Sequence, residues 1–278
     1  MQITIITPVF NGAKYIRQCI ENVINQNCDS VEHLIMDGLS TDGTQEIVKE
    51  FAENHPHIRL ISEKDKGQSD AMNKGIAAAK GEIISFLNVD DFYEHGVFNR
   101  ILEIFKDLPE PSFVCGNLNI WNADGSLKHF NKPNRISLVE LVSNCFEWPY
   151  NPAAYFYHKS LHEKTGLYNT QNHFCMDYEF IIESAQYIDL KHVDEIWGNF
   201  VMVTDSKTQN AHQETLETAF EAGEIVRKKA IGGFNEGQLT LLASILSENK
   251  PMLLPEKPKA ISTFRKIKNK IKSLFRQA

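Results

Sequence analysis

Short apolar runs alternate with amphipathic segments over the first hundred residues of this chain. The runs predict buried strands, because strands covered on both faces of a parallel sheet are apolar throughout. They lie at residues 3–9, 33–37, 58–62 and 83–87. Between the runs, apolar residues recur at helical spacing, as at Ile16, Ile20 and Ile24, and predict helices. This alternation predicts an α/β fold with a mostly parallel sheet that is flanked by helices and joined by right-handed crossovers.

The second half of the chain follows a different pattern. Apolar segments at 112–121 and 127–130 flank Asn-Ala-Asp-Gly-Ser (122–126), a turn sequence that predicts a hairpin. Mixed helices and strands follow, and three prolines after residue 250 indicate a linker. The expected organisation is one α/β domain, a helix with a proline-containing linker, and a C-terminal helical extension. Their predicted bounds are 1–230, 231–255 and 256–278.

Composition narrows the class of protein. The 278 residues are 42% hydrophobic and 23% charged, which is ordinary for a soluble globular protein. The start of the chain lacks the features of a signal peptide, and no apolar run approaches the roughly 18 residues needed to span a bilayer. Five cysteines without a Cys-x-x-Cys pair argue against a disulfide framework or a zinc site. These features predict a cytoplasmic protein.

Charge is unevenly distributed along the chain. Residues 256–278 contain eight Lys and Arg and one Glu, a net +7, and since the whole chain carries −7, residues 1–255 carry −14. An acidic body repels polyanions, which argues against nucleic acid as a partner. In the basic tail, one arc of a helical projection holds Ile261, Phe264, Ile267, Ile271, Leu274 and Phe275.

A basic amphipathic helix of this kind predicts peripheral attachment to an anionic membrane surface, here the inner face of the cell membrane. A helix that packs on the domain and leaves its basic face in water is the alternative.

Two adjacent carboxylates, Asp90 and Asp91, follow the fourth predicted strand. Ligands of open α/β sheets bind in the crevice beyond the carboxyl ends of the strands. Mg²⁺ and Mn²⁺ prefer carboxylate oxygens and bind through one or two of them plus substrate phosphates. The pair therefore predicts a divalent-metal site. The structural alternative is a helix start, because carboxylates favour the first turn of a helix.

The loops after the other strands offer groups for a nucleotide at the same edge. Phe10, just after the first strand, presents a ring that can stack beneath a base, and Asp37 at the end of the second can accept a base N–H. Lys66 and Gly67 can supply a cation and backbone N–H groups to a diphosphate. A solvated loop with Asp70 as an acidic helix cap is the alternative. The Gly-rich motifs of dinucleotide oxidoreductases and P-loop NTPases do not occur.

Four motifs follow one another along the chain: Thr-Pro-Val-Phe-Asn (7–11), Met-Asp-Gly-Leu-Ser-Thr-Asp-Gly-Thr (36–44), Asp-Ala-Met-Asn-Lys-Gly (70–75) and Leu-Asn-Val-Asp-Asp (87–91). Together they resemble glycosyltransferase family 2. They occur in the family's order and spacing, within a resemblance over about residues 1–200 that looks like the bacterial branch building cell-surface polysaccharides. The resemblance implies a GT-A (Rossmann-like) fold, a nucleotide-sugar donor, Mn²⁺ or Mg²⁺, and inversion at the anomeric carbon.

Carried over by position, the resemblance implies that Thr7, Pro8 and Phe10 line the base pocket and that Asp37 recognises the base. The nucleotide-sugar site then also includes Lys66, Gly67 and Asp70. The family's Asp-x-Asp motif is represented by Asn88, Val89 and Asp90. Asn88 departs from the first aspartate of that motif; it can still bond the ribose, but it leaves metal affinity mainly to Asp90.

The segment Met-Asp-Tyr-Glu (176–179) resembles the one that carries the family's catalytic base, which makes Asp177 the candidate. The usual acidic residue before it is Met176 here. A positioned carboxylate can remove the proton of an acceptor hydroxyl, whereas the structural alternative is a carboxylate at a helix N-terminus. His212, after a segment that resembles the loop closing over the diphosphate, is either a ligand or a surface histidine.

These expectations combine into one function. The chain is expected to transfer a single hexosyl or N-acetylhexosaminyl group from a UDP-sugar to a saccharide acceptor that is lipid-linked. Single transfer is expected because the Gln-x-x-Arg-Trp motif of processive synthases is absent. Two alternatives stay open: a nucleotide-sugar-binding module without transferase activity, and a sugar-nucleotide pyrophosphorylase, whose Gly-rich N-terminal signature is missing.

Overall fold

In the computed structural model, which describes residues 2–172, 175–203 and 213–251, the strands form one sheet. One half of the sheet is parallel. Its strands lie in the order β3 (Ile58–Ser62), β2 (Val31–Asp37), β1 (Ile3–Val9) and β4 (Ile83–Phe86). These four strands confirm the predicted apolar runs. β2 and β4 are buried along their whole length, as expected for strands with helices on both faces.

Beyond β4 the sheet is mixed. The order continues with β8 (Tyr155–His158), β6 (Phe113–Asn122), β9 (Lys191–Met202) and β5 (Phe92–Tyr93), while β7 (Leu127–Asn131) pairs with β6. β8 runs antiparallel to both β4 and β6, whereas β9 is parallel to β6. The α/β class and the β6–β7 hairpin are confirmed. The sheet as a whole is mixed rather than mostly parallel, because β8 enters it in the opposite direction.

Helices connect these strands. Those of the first half are α1 (Ile16–Ile24), α2 (Thr44–Asn54), α3 (Gln68–Ala78) and α4 (Val97–Lys106). Those of the second half are α5 (Leu138–Ser143), α6 (His162–Thr165), α7 (Met176–Ser184), α8 (Gln213–Gly232) and α9 (Glu236–Glu248). α3 packs on β1 and β2, and α1 packs on α2.

The last two described helices belong to the main core. Val226 of α8 and Leu242 of α9 are buried in the same cluster as strand residues such as Ile84. The predicted domain boundary at residue 230 falls within α8, and α9 lies inside the range 231–255. The predicted basic helix over 256–278 lies outside the described residues. Among the helices that the structure describes, none is both long and apolar enough to span a membrane.

The turn from α3 into β4 requires glycine at position 81. A Cβ atom on Gly81 would lie 2.6 Å from the backbone nitrogen of Thr4 and 2.7 Å from the carbonyl oxygen of Gln2. Backbone atoms cannot rotate away as a flexible side chain can, so β1 itself would have to shift.

We predict that Gly81→Ala lowers the free energy of unfolding by about 1–3 kcal/mol, the usual range for overpacking. Gly232→Ala is the matched control, because a Cβ there meets no atom within 4 Å. Urea denaturation of both variants measures the effect. Equal stability of Gly81→Ala and wild type would contradict the close approach of this turn to β1.

Candidate active site

The loops that follow β1 and β2 are tied to each other at the carboxyl edge of the sheet. The backbone N–H of Asn11 donates to Ser40 Oγ at 2.7 Å, and that of Ala13 donates to Asp42 Oδ2 at 2.9 Å. Asn11 adopts a left-handed conformation with φ 52°, which asparagine tolerates better than most residues. The two loops therefore form a continuous surface beside the strand ends.

Phe10 stands out from this surface, with 66% of its area exposed. A Cβ atom on the neighbouring Gly38 would lie 3.4 Å from Phe10 Cδ2 and 2.6 Å from Asp65 Oδ2. Glycine at position 38 therefore lets the Asp65 carboxylate and the Phe10 ring lie against the backbone. Pro8 is partly exposed at the end of β1. The ring, the glycine and the adjacent carboxylate are suited to holding a flat, hydrogen-bonding base.

Asp37 lies at the floor of this region and is only 2% exposed. Its carboxylate accepts the backbone N–H of Ser40 at 3.2 Å on both oxygens and the hydroxyl of Ser62 at 2.6 Å. The side chain is therefore already hydrogen-bonded within the protein. A base N–H reaching Asp37 would have to share its oxygens with these donors.

The side chain of Thr7 points into the core. Thr7 is fully buried, and its Oγ1 lies 2.9 Å from His33 Nε2 and 3.8 Å from Cys19 Sγ. Its hydroxyl therefore bonds within the sheet and does not face the crevice beside Phe10. The sequence motif identified the position of Thr7 but did not indicate which way its side chain points.

Asp91 is a buried carboxylate that joins three elements. It is 3% exposed; its Oδ2 accepts the amides of Asn88 at 2.9 Å and Asn151 at 2.7 Å, and its Oδ1 accepts the backbone N–H of Val201 at 3.0 Å. Burial, together with the neighbouring Asp90, raises the pKa of Asp91 to about 7. With these donors in place, Asp91 is better suited to support the loop than to serve as the second metal ligand that the sequence predicted.

Asp90 is the more accessible of the two carboxylates. It is partly exposed and borders a cavity of about 310 Å³ beside α1. Partial burial raises the pKa of Asp90 above its ordinary value. No cluster of three His, Cys, Asp or Glu side chains able to hold a metal occurs within the described residues. A divalent cation that takes one or two carboxylates and completes its shell with phosphate oxygens and water fits this site.

Asn88 has a structural reason to be an amide. Its Oδ1 accepts a hydrogen bond from Gln68 Nε2 at 3.1 Å, while its Nδ2 donates to Asp91. An aspartate at this position would place a second acceptor against the Asp91 carboxylate and lose the donor. Val89, the next residue, is partly buried and packs against the hydrophobic clusters beneath the loop. The departure from Asp-x-Asp therefore coincides with a specific hydrogen bond in this chain.

In the segment that leads into α3, backbone N–H groups donate hydrogen bonds to nearby carboxylates. The N–H of Lys66 donates to Asp70 Oδ2 at 3.0 Å, and that of Gly67 donates to Asp65 Oδ1 at 2.8 Å. Gly67 has φ 114°, which side-chain-bearing residues rarely adopt. Asp70 thus acts as an acidic cap of the helix. With both amides engaged, the exposed Lys66 ammonium is the group of this pair best placed to meet a diphosphate.

Asp177 lies in the first turn of α7, where it is partly exposed. The hydroxyl of Tyr155, at the start of β8, donates to Asp177 Oδ1 at 2.9 Å. Burial and the adjacent Asp177 carboxylate raise the pKa of Tyr155 well above its ordinary value, so the phenol keeps its proton. Tyr155 therefore orients the carboxylate.

The first turn of α3 connects the Asp90 loop to the Asp177 helix. Gln68 bonds Asn88, two residues before Asp90, and Ser69 Oγ lies 2.8 Å from the Sδ atom of Met176, the residue before Asp177. The first turn of α3 therefore touches both the loop that carries Asp90 and the helix that carries Asp177.

Sequence reasoning missed the supporting residues Gln68, Asn151 and Tyr155. The Asn151-Pro152 dipeptide indicates a turn, and its position just before the apolar segment of β8 was the sequence feature that could have drawn attention to Asn151. Tyr155 sits inside an apolar run and carries no signal of its own. His212 lies outside the described residues, so its role as a ligand or as a surface histidine stays a prediction.

The comparisons with known proteins agree with this geometry. The chain resembles solved structures of the GT-A fold: S. aureus TarS 1-349 in complex with UDP-GlcNAc has a TM-score of 0.67 at 16% identity, covering 88% of this chain and 72% of that one. The mannosyltransferase PcManGT from Pyrobaculum calidifontis in complex with GDP-Man and Mn²⁺ has a TM-score of 0.57 at 16% identity, covering 97% and 84%. The fold is therefore GT-A.

The sequence comparisons identify the family. The model of Glycosyl transferase family 2 matches residues 4–178, and the chain belongs to this family. It is 29% identical over 212 residues to a chondroitin synthase of Escherichia coli, covering 72% of this chain and 29% of that protein. It is 27% identical over 217 residues to a hyaluronan synthase of Pasteurella multocida, covering 73% and 21%. The chain thus spans less than a third of the length of these relatives.

The buried His33 that holds Thr7 gives a prediction about acid stability. Burial, with a smaller effect of His57, lowers the pKa of His33 to about 3. Since this is below the unfolded value of about 6.5, the folded state binds fewer protons. The stability that depends on neutral His33 is fully present above pH 6.5 and is lost as the pH falls toward 3.

We predict that wild type loses about 2 kcal/mol of unfolding free energy between pH 8 and pH 5 through this residue. His33→Gln keeps a hydrogen-bonding group beside Thr7 but cannot titrate, so its pH dependence should be smaller by that amount. Urea denaturation at both pH values measures the difference. Parallel pH dependence in the two proteins would show that His33 is not held neutral.

Proposed function

We propose that this protein transfers a single sugar from a UDP-sugar to a saccharide acceptor, with inversion at the anomeric carbon and with a divalent cation. The observation that carries the proposal is the connection of the Asp90 loop and the Asp177 helix through Gln68 and Ser69 of α3. Glycosyl transfer needs both charge neutralisation at a leaving diphosphate and a base for the acceptor hydroxyl. The two segments offer one carboxylate for each task.

The donor is proposed to lie along the strand ends in the order of the sheet. The base stacks on Phe10 beside Gly38, above β2 and β1, and the ribose reaches Asn88 after β4. Uracil is favoured because its imide N–H can donate to the Asp37 carboxylate, which also accepts hydrogen bonds from Ser40 and Ser62. Lys66 is proposed to approach the diphosphate, with Asp90 on its other side. The UDP-GlcNAc complex of TarS supports a donor of this class.

A bound Mn²⁺ or Mg²⁺ would be held by Asp90 and the phosphate oxygens, and it would neutralise the charge that develops on the leaving nucleoside diphosphate. Asp91 holds the loop that carries Asp90. Asp177 is proposed to take the proton of the acceptor hydroxyl as the new glycosidic bond forms. Inversion follows because a base on the face opposite the leaving group leads to a single displacement. Tyr155 donates its hydroxyl to the Asp177 carboxylate and fixes the orientation of that side chain.

The acceptor is proposed to be a saccharide linked to a lipid. The chondroitin and hyaluronan synthases among its relatives build polysaccharides, which supports a saccharide acceptor. The basic residues of 256–278 support an anionic membrane surface as a second partner, and attachment there would place the enzyme beside a lipid-linked acceptor at the inner face of the cell membrane.

One assay separates this proposal from its two alternatives. Purified protein is incubated with UDP-GlcNAc, UDP-glucose or UDP-galactose, with and without Mn²⁺, and free UDP is measured. A transferase releases UDP in a metal-dependent manner, through slow hydrolysis or through transfer. A binding module releases none. A pyrophosphorylase releases no UDP but forms UTP when pyrophosphate is added.

We predict that Asp90→Ala lowers UDP release by about 10²-fold or more, because charge on the leaving group is no longer neutralised. Mn²⁺-dependent binding of UDP, measured by calorimetry, should weaken in the same variant. Asp29→Ala removes an exposed carboxylate in the turn before β2 and is the matched control. Full activity of Asp90→Ala in the presence of EDTA would exclude a metal role for this residue.

Asp177→Asn keeps the oxygen that accepts the Tyr155 hydroxyl but cannot take a proton. We predict that it lowers the rate of transfer by about 10²–10⁴-fold. The affinity for UDP should remain within a few-fold of wild type, which separates loss of the base from loss of the donor site. Unchanged turnover would place the base elsewhere, with Glu179 as the nearest candidate on α7.

The membrane role is tested by deletion of residues 256–278. We predict that the full chain sediments with vesicles containing phosphatidylglycerol at low salt and that the shortened chain does not, because about 1 kcal/mol per basic residue is lost. UDP release in solution should be the same for both proteins. Failure of the full chain to sediment would exclude this attachment.

A further inference from the structure

The order of strands determines where an acceptor can bind. If the donor lies above β2, β1 and β4, the free part of the carboxyl edge continues above β8, β6 and β9. β8 begins at this edge because it runs antiparallel to β4, and β6 and β9 end there. A group that presents a hydroxyl to Asp177 from the side away from the donor must lie against this half of the sheet.

Two aromatic side chains stand at this position, in the segment that leads into β8. Trp148 and Tyr150 are both partly exposed. Their ring centroids are 5.1 Å apart and their planes are nearly perpendicular, at 89°. Tyr150 packs on the small hydrophobic cluster formed by Leu118, Ile120 and Ala154. The rings are thus fixed from below by the core while part of each remains open to solvent.

The same segment is attached to both carboxylate regions. Asn151, the residue after Tyr150, donates its amide to Asp91 at 2.7 Å. On the other side, the Trp148 ring lies 5.1 Å from the ring of Tyr178, the residue after Asp177. The two aromatic side chains therefore lie between the loop proposed to hold the diphosphate and the helix proposed to carry the base. The donor site described above uses neither of them.

We propose that Trp148 and Tyr150 form the surface on which a pyranose ring of the acceptor stacks. The inference rests on the proposed function, since it takes Asp177 as the base that receives the acceptor proton. A pyranose with equatorial hydroxyls exposes a flat face of C–H groups that packs on an aromatic ring, while its hydroxyls remain free at the rim. Stacking on Trp148 turns one of these rim hydroxyls toward α7 and sets which sugar is accepted.

The test compares variants of Trp148 that distinguish the effect of its aromatic face from the effect of its apolar volume. Trp148→Leu retains apolar bulk but has no aromatic face, whereas Trp148→Phe retains a ring. Tyr187→Leu removes an exposed aromatic side chain at the other end of the α7 region and is the control. The probes are the methyl β-glycosides of glucose, galactose, N-acetylglucosamine and glucuronic acid, and binding is followed by saturation-transfer NMR. Acceptor-free UDP release and thermal unfolding are measured on the same samples.

We expect wild type to bind at least one of these glycosides through its C–H face. Trp148→Leu should weaken that binding at least tenfold, Trp148→Phe less than threefold, and Tyr187→Leu not at all. Acceptor-free UDP release should stay within twofold of wild type in every variant, which a merely structural role of Trp148 would not allow.

Three results would overturn the proposal: no glycoside binding by wild type, unchanged binding by Trp148→Leu, or joint loss of glycoside binding and UDP release in that variant. Failure of the proposed function looks different, because wild type would then release no UDP even if glycosides still bound through Trp148.

Discussion

The hydrogen bonds to the buried Asp91 carboxylate hold the two halves of the sheet together at the site. Donors from the β4 loop, from the turn before β8 and from β9 converge on this one side chain, through Asn88, Asn151 and Val201. Val201 is separated from Asp91 by 110 residues. Removing this carboxylate would leave buried donors without an acceptor, which is costly for a folded protein. The position of the neighbouring Asp90 depends on these bonds.

The two adjacent aspartates differ in burial, and their proposed roles differ accordingly. Asp91 is enclosed and saturated with donors, and burial together with Asp90 raises its pKa to about 7. Asp90 is partly exposed and borders open space, as a ligand of an incoming cation must. A similar division occurs at the second carboxylate, where buried Tyr155 holds Asp177 at the surface. In both places a buried polar partner orients a more accessible acid.

The parallel half of the sheet could be predicted from the sequence because each of its strands is a mainly apolar run and is followed by an amphipathic helix. The second half could not, since the insertion of β8 between β4 and β6 depends on pairings between distant segments. For the site, the motifs pointed to Asp90, Asp177 and Phe10, and the structure leaves each of these side chains at least partly exposed. It did not reveal that the Thr7 hydroxyl faces His33.

A crystal structure of the full chain with UDP and Mn²⁺, using anomalous scattering to locate the metal, would show whether Asp90 holds the cation at the diphosphate. We predict an anomalous peak bonded to an Asp90 carboxylate oxygen and to the diphosphate, with uracil stacked on Phe10. Asp177 should lie on the far side of the phosphates from the uracil. A metal peak away from Asp90, or a nucleotide whose base lies away from Phe10, would contradict this arrangement.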